Sequence, residues 1–218
     1  MTPAMISLCD VTGVMAEPWA EAGYDCYCVD VQHSIRRDRV KQVGKGRIHF
    51  VWGDARSWMP PSGVRPIFVA AFPPCTHVAG SGARDWKKKG QFMLTDALQL
   101  FTCCMAHARW SGAPFMVENP RGALSNHMGQ PDHRFDPCDY AGYLDDPMPE
   151  AYTKDTNLWV GNGFVMPEPK RVVAVLGSKM HLMPPSDDRA DERSVTPRGF
   201  ATAVFQANEH VAKLRLAA

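Results

Sequence analysis

Cys75 follows two prolines, in Phe72-Pro73-Pro74-Cys75. Proline fixes its own φ and keeps the residue before it extended. This spacing therefore presents a thiol at the end of an apolar run rather than within a helix. A thiolate held there becomes a strong nucleophile once a cation or a helix N-terminus lowers its pKa. Glu118 ends another apolar run, Phe115-Met116-Val117, and opens Glu118-Asn119-Pro120. A carboxylate is poor packing filler there, because burying it unpaired is costly. Asn119-Pro120 also makes a good Ncap–N1 pair, so Asn119 caps while Glu118 acts. Asp30 and Asp54 close two further apolar runs. An acid after the second strand of a Rossmann-like sheet is the usual partner of ribose hydroxyls, and Asp54 could accept from an exocyclic adenine amine. Thr12-Gly13 would let backbone approach a ligand. A nucleophile, an acid and a nucleoside site are thus all written at strand ends.

The elements that must hold these residues alternate. Met5–Cys9, Cys26–Val29, Ile48–Val51, Pro66–Phe72 and Phe115–Val117 read as strands. Met15–Ala22, the basic stretch Ile35–Val43 and the long segment Gln91–Trp110 read as helices between them, and Pro197–Leu214 as a closing helix. Pro66–Phe72 is apolar throughout, as a strand covered on both faces should be. Such alternation predicts a mostly parallel α/β sheet with helices on both faces. Leu158-Trp159-Val160 and Val172–Val175 supply the last two of seven strands, with antiparallel pairing open to them, and residues 129–155 read as an ordered loop excursion that could contact substrate. Ligands bind at the C-terminal edge of such sheets, where Asp30, Asp54, Cys75 and Glu118 all fall.

The 218 residues suffice for one domain with a proper core, and 45% hydrophobic against 22% charged residues is globular composition. An unspecific polyanion binder is usually more basic than a formal net charge of +1, so any nucleic-acid contact must come from a local patch. Seven cysteines, an odd number without an export signal, read as reduced thiols in a cytoplasm. No run reaches the roughly 18 apolar residues of a membrane span.

The chain resembles the DNA cytosine-5 methyltransferases, and more closely their short, phage-type members. The matching stretches are Leu8-Cys9-Asp10-Val11-Thr12-Gly13, Val29-Asp30, Gly53-Asp54-Ala55, Phe72-Pro73-Pro74-Cys75 and Val117-Glu118-Asn119-Pro120. In the C-terminal half Asp139–Leu144, Lys154–Trp159, Gly161–Phe164 and Thr196–Ala201 match in the family's order. The resemblance implies a Rossmann-like class I methyltransferase fold and S-adenosylmethionine as methyl donor, held by Cys9, Asp10, Thr12, Gly13, Asp30, Val31, Asp54, Ala55 and Pro73. It implies a flipped cytosine attacked at C6 by Cys75, with Glu118 on the N3 and N4 edge, Asn119 beside it and Lys154 on O2 or the phosphate. The implied enzyme is a DNA (cytosine-5-)-methyltransferase, expected to be a monomer without a metal. The same chemistry on a free cytosine nucleotide, or a catalytically silent DNA-binding relative, are the alternatives.

The chain departs from the family in three places. Val11 stands where most members have a second glycine, the family's Gln-x-Arg-x-Arg segment is not recognisable, and no separate target-recognition domain is visible. DNA contacts are therefore expected from Pro74 and from the basic turn Arg84-Asp85-Trp86-Lys87-Lys88-Lys89, whose aromatic would fill the gap left by a flipped base. A solvated charged helix start reads the same turn as well. His127, His133 and Cys138 match no zinc spacing.

Overall fold

The apolar run ahead of Pro73 folds as the strand β5 (Val64–Ala71), and the sheet is built outward from it. The structure is a computed structural model that describes residues 1–80, 86–178 and 195–217, with the side chains of 86, 87, 89 and 215–217 also outside that description. The other strands are β1 (Thr2–Leu8), β2 (Asp25–Asp30), β3 (Arg39–Val43), β4 (Gly46–Trp52), β6 (Phe115–Pro120), β7 (His133–Phe135) and β8 (Thr156–Gly161). They form one sheet of eight, ordered β3-β4-β2-β1-β5-β6-β8-β7. β4, β2, β1, β5 and β6 are parallel to one another. β3 on β4, β8 on β6 and β7 on β8 are antiparallel.

Helices cover both faces, as the alternation predicts. On one face lie α1 (Glu17–Glu21) and α4 (Arg198–Ala217), where Trp19, Phe200 and Val204 pack on Met5, Phe68 and Met116. The Trp19 ring stacks on Phe68 at 5.0 Å; full burial of side chains of this size is worth about 1.5–3 kcal/mol each. On the other face α2 (Trp86–Trp110) places Phe101, Cys104, Met105 and Ala108 against Val69, Ala71 and Val117. Gly90 breaks α2 with φ 75°, so the regular helix runs from the following residue, as expected from Gln91 onward. A short helix, α3 (Leu124–His127), follows β6. Pro66 lies inside β5 without a backbone donor. The ladder to β1 accommodates it with a register shift, Ala4 facing Pro66 and Met5 facing Phe68.

Three expectations are corrected. The sheet has eight strands rather than seven, with antiparallel strands at both ends. The basic stretch Ile35–Val43 is not a helix: Arg39–Val43 is strand β3, turned back onto β4 through Gly44 at φ 55°. A side chain on Gly44 would collide with the Glu21 backbone at 2.6 Å, so the turn fits tightly under α1. Val172–Val175 forms no strand; Val173 and Val175 are exposed, and Val172 N–H bonds to the Cys138 carbonyl at 2.9 Å. The outer edge is instead β7, from the segment read as a loop. Much of that excursion is core, since Phe135 stacks on Phe200 at 3.9 Å and Tyr140 packs on both.

Candidate active site

The loop after β1 is built by one carboxylate. Asp10 is buried, and its Oδ1 accepts from the backbone N–H groups of Thr12 at 3.0 Å and Gly13 at 2.7 Å and from the Thr12 hydroxyl at 3.1 Å. Its Oδ2 accepts from the Ser7 hydroxyl at 2.6 Å. Asp10 therefore shapes the loop, with Cys9 at φ 55° on one side and Gly13 at φ 73° on the other. A Cβ on Gly13 would press on the Phe50 ring at 3.0 Å, a second reason for glycine there. The Cys9 thiol lies 4.0 Å from that of Cys104 on α2, so only its backbone remains on the loop.

Asp30 ends β2 nearly buried, one oxygen accepting from Gln32 N–H at 2.8 Å. Burial raises its pKa above the ordinary carboxylate value, partly offset by that N–H. Val31 beside it is 58% exposed, an apolar surface at the strand end. Asp54 lies just past β4 in a charged cluster. Its carboxylate accepts from Arg56 N–H at 2.9 Å and pairs with the Arg56 guanidinium at 3.2 Å, which also reaches Asp96 at 2.7 Å. Asp54 thus holds its own turn, with Ala55 buried behind it.

Cys75 opens a turn whose carbonyl accepts from Val78 N–H at 3.0 Å and Ala79 N–H at 2.8 Å. The turn is tied to β6, because Asn119 Nδ2 donates to the Pro73 carbonyl at 2.7 Å. Pro73 is buried and Pro74 exposed, so the double proline is clamped on one side and open on the other. Asn119 lies within β6 rather than capping a helix, and its amide acts as the clamp. Gly122 gives the turn its floor, in an isolated bridge to Ala79. A Cβ there would sit 1.9 Å from the Val78 carbonyl and 2.8 Å from Ala79 Cα. Gly122→Ala should cost about 2–4 kcal/mol of stability, on the scale of severe overpacking; urea unfolding checks this, and a loss under about 0.5 kcal/mol would show that the turn yields freely.

Glu118 neighbours this clamp on β6, facing the α4 side because side chains alternate along a strand. Its Oε1 is out of contact with solvent and has no hydrogen-bond partner among the described residues. Burial raises its pKa, and the Lys154 charge opposes the rise. Lys154 is placed by a residue that carries no signal in the sequence: Asp136, the N-cap of a single 3-10 turn, accepts from Lys154 N–H at 2.6 Å. Asn157 is equally silent in the sequence. It faces Asn119 across the β6–β8 ladder, fully buried, with neither Nδ2 nor Oδ1 hydrogen-bonded among the described residues. Seven buried side-chain polar atoms lack partners among the described residues. Five belong to His77, Glu118, Asn119 and Asn157, at the ends of β5, β6 and β8. Each such group costs about 1–3 kcal/mol, so their clustering at one end of the sheet marks a place that a polar ligand or water would complete.

Of the basic turn, Lys88 is exposed near the start of α2, while Arg84 and the side chains of Trp86, Lys87 and Lys89 lie outside the described residues. Among the described residues no group of three or more His, Cys, Asp or Glu could hold a metal ion, and no helix is long and apolar enough to cross a membrane. An open cleft of about 640 Å³ lies at the opposite end of the sheet, lined by Thr2, Tyr24, Asp25, Arg47, Glu209 and Lys213. It is remote from Cys75 and Glu118 in the fold and brings no nucleophile to an acid.

No family model matches the sequence, and no curated protein matches it. Among solved structures, a protein of E. coli provisionally described as a DNA modification methyltransferase encoded within a prophage is similar at 13% identity with a TM-score of 0.37. The similarity covers 86% of this chain and 50% of that one, so the chain spans half the length of that structure. A likeness of this degree carries no argument about activity.

Proposed function

We propose that the protein transfers a methyl group from S-adenosylmethionine to C5 of cytosine in DNA. The observation that carries the reading is Glu118 Oε1, buried without a partner beside the residue that clamps the Pro73-Pro74-Cys75 turn. A carboxyl group with a raised pKa suits the N3–N4 edge of a cytosine, which needs a donor at N3 and an acceptor at N4.

The residues of the β1 and β2 ends fit the donor. Asp30 has one oxygen engaged by Gln32 N–H and the other to offer a ribose hydroxyl. Val31 supplies an exposed apolar face for a purine ring. Asp10 holds the loop where Gly13 allows close backbone approach. When bound there, S-adenosylmethionine would supply an electrophilic methyl group.

The remaining steps belong to the chain's own residues. Cys75 Sγ adds to C6 of a cytosine swung out of the stack, since C5 and C6 cannot be attacked within it. Glu118 donates toward N3 as the electron pair moves onto the ring, which limits charge in the adduct. C5, now enamine-like, takes the methyl group. Loss of the C5 proton and departure of the Cys75 thiolate restore the aromatic ring. Asn119 keeps the Cys75 turn in place throughout, and Lys154 provides a cation near Glu118.

The test offers C5-tritiated cytosine in duplex DNA and, separately, in dCMP. Methyl transfer to C5 releases tritium to water. Release from DNA is expected. Release from dCMP alone would overturn the DNA reading and leave the chemistry standing; release from neither would overturn both.

A further inference from the structure

Strand β3, where the sequence suggested a helix, opens a charged surface at the sheet edge. Residues 33–47 contain Arg36, Arg37, Arg39, Lys41, Lys45 and Arg47 against one acid, Asp38, in a chain of net charge +1. The antiparallel pairing decides where they go. Arg39 faces Phe50 and Val43 faces Gly46, while Asp30 faces Trp52 at the C-terminal end of the parallel strands. Arg39 and the turn before it therefore lie at the end of the sheet that carries Asp30 and Cys75. Lys45 and Arg47 lie at the other end.

Lys41 pairs with Glu17 at 3.1 Å and Arg47 with Asp25 at 2.9 Å. Arg36, Arg37 and Arg39 are exposed and form no ion pair among the described residues. The Arg39 guanidinium lies 3.7 Å from the centre of the Phe50 ring. Stacking of that kind fixes the plane of the group and leaves its edge N–H donors free for an oxyanion. Phe50 in turn packs where a Gly13 side chain would be, so the arginine surface and the proposed donor loop share a wall.

We infer that the turn Ser34–Arg39 is a phosphate-contact surface for the backbone of duplex DNA, with Arg36, Arg37 and Arg39 as the contacting groups. The inference rests on the DNA reading above. Sheet order places β3 four strands from β5, about 20 Å at the ordinary strand spacing. That is less than the roughly 34 Å of one helical turn of DNA. A duplex that delivers a cytosine to Cys75 at mid-sheet therefore reaches Arg36 and Arg37 with the same turn. Local positive charge at this edge would also explain how a chain of net charge +1 grips a polyanion.

The experiment titrates the full-length protein with a labelled cytosine-containing duplex at several salt concentrations. Arg36→Ala/Arg37→Ala should flatten the slope of log K against log salt by about 2, roughly one unit for each phosphate that is no longer neutralised. Arg36→Lys/Arg37→Lys should keep most of the slope, and Lys213→Ala, at the opposite end of the sheet, should keep all of it. All variants should retain the wild-type melting temperature. If the wild type binds DNA and the double alanine variant has its full salt slope, the inference is overturned while the DNA reading stands. If the wild type binds no duplex but releases tritium from dCMP, the DNA reading fails and the phosphate surface fails with it.

Discussion

Incubated with S-adenosylmethionine and duplex DNA in which the target cytosine is 5-fluorocytosine, the protein should form a covalent complex that survives denaturation, through Cys75. Addition of the thiolate to C6 and methylation at C5 proceed as with cytosine. The adduct then stalls, because its breakdown requires a proton to leave C5 and fluorine cannot leave as a cation. Cys75→Ser should give no complex, and its turnover on cytosine should fall to background. Loss of a nucleophile in other covalent enzymes costs on the order of 10⁶-fold in kcat. A denaturing gel and peptide mapping read the outcome. Full turnover of the fluorinated substrate without an adduct would remove Cys75 as nucleophile. The Cys75 carbonyl and the Asn119 clamp both hold the turn, and an unchanged melting temperature for Cys75→Ser would show that the turn survives the substitution.

Glu118→Gln should lower kcat by about 10²–10⁴-fold, the range for losing a positioned general acid. It should also change how stability depends on pH. Burial raises the Glu118 pKa from its ordinary 4.5, against the pull of Lys154. The folded state therefore binds more protons than the unfolded state between the two pKa values. The stability contributed by this group is complete below the unfolded value and is lost as pH rises through the folded one. Urea unfolding of the wild type should show that decline starting above about pH 4.5, and Glu118→Gln should show a shallower one, because Asp30, Asp136 and Glu150, also raised by burial, still contribute. Lys154→Ala removes the opposing charge and should extend the decline to higher pH, with the same onset. Identical pH profiles for wild type and Glu118→Gln would mean that the carboxyl group is not buried in solution.

The two Asp residues at the ends of β2 and β4 look alike in sequence and sit in different surroundings. Asp30 is nearly buried, with one oxygen accepting from Gln32 N–H. Asp54, in an equivalent-looking setting, is engaged by Arg56 two residues later. Nothing in Gly53-Asp54-Ala55 announces this, because the pairing depends on how the chain turns and on Asp96 from α2. Asp10 behaves likewise: a plausible ligand contact by sequence, it spends both oxygens on its own loop.

Local pattern was sufficient for the central strands, for the helix after Gly90, for the closing helix and for the position of Cys75 just past a strand; Glu118, read as a strand end, lies within β6 because β8 pairs with it as far as Pro120. Those features follow from apolar periodicity, proline geometry and strand length, which act between residues close in the chain. Pairing partners at long range decided the rest. β3 became a strand because β4 offers an edge and Gly44 a turn. Val172–Val175 stayed out of the sheet, and β7 took the outer place on β8. Gly122 under the Cys75 turn, Asp136 behind Lys154 and Asn157 opposite Asn119 have no local signature, since each matters only through contact with a distant segment. The amino-acid order therefore announces which groups could react, while the tertiary contacts decide which of them are held, which are used up and which are left with an unfilled hydrogen bond.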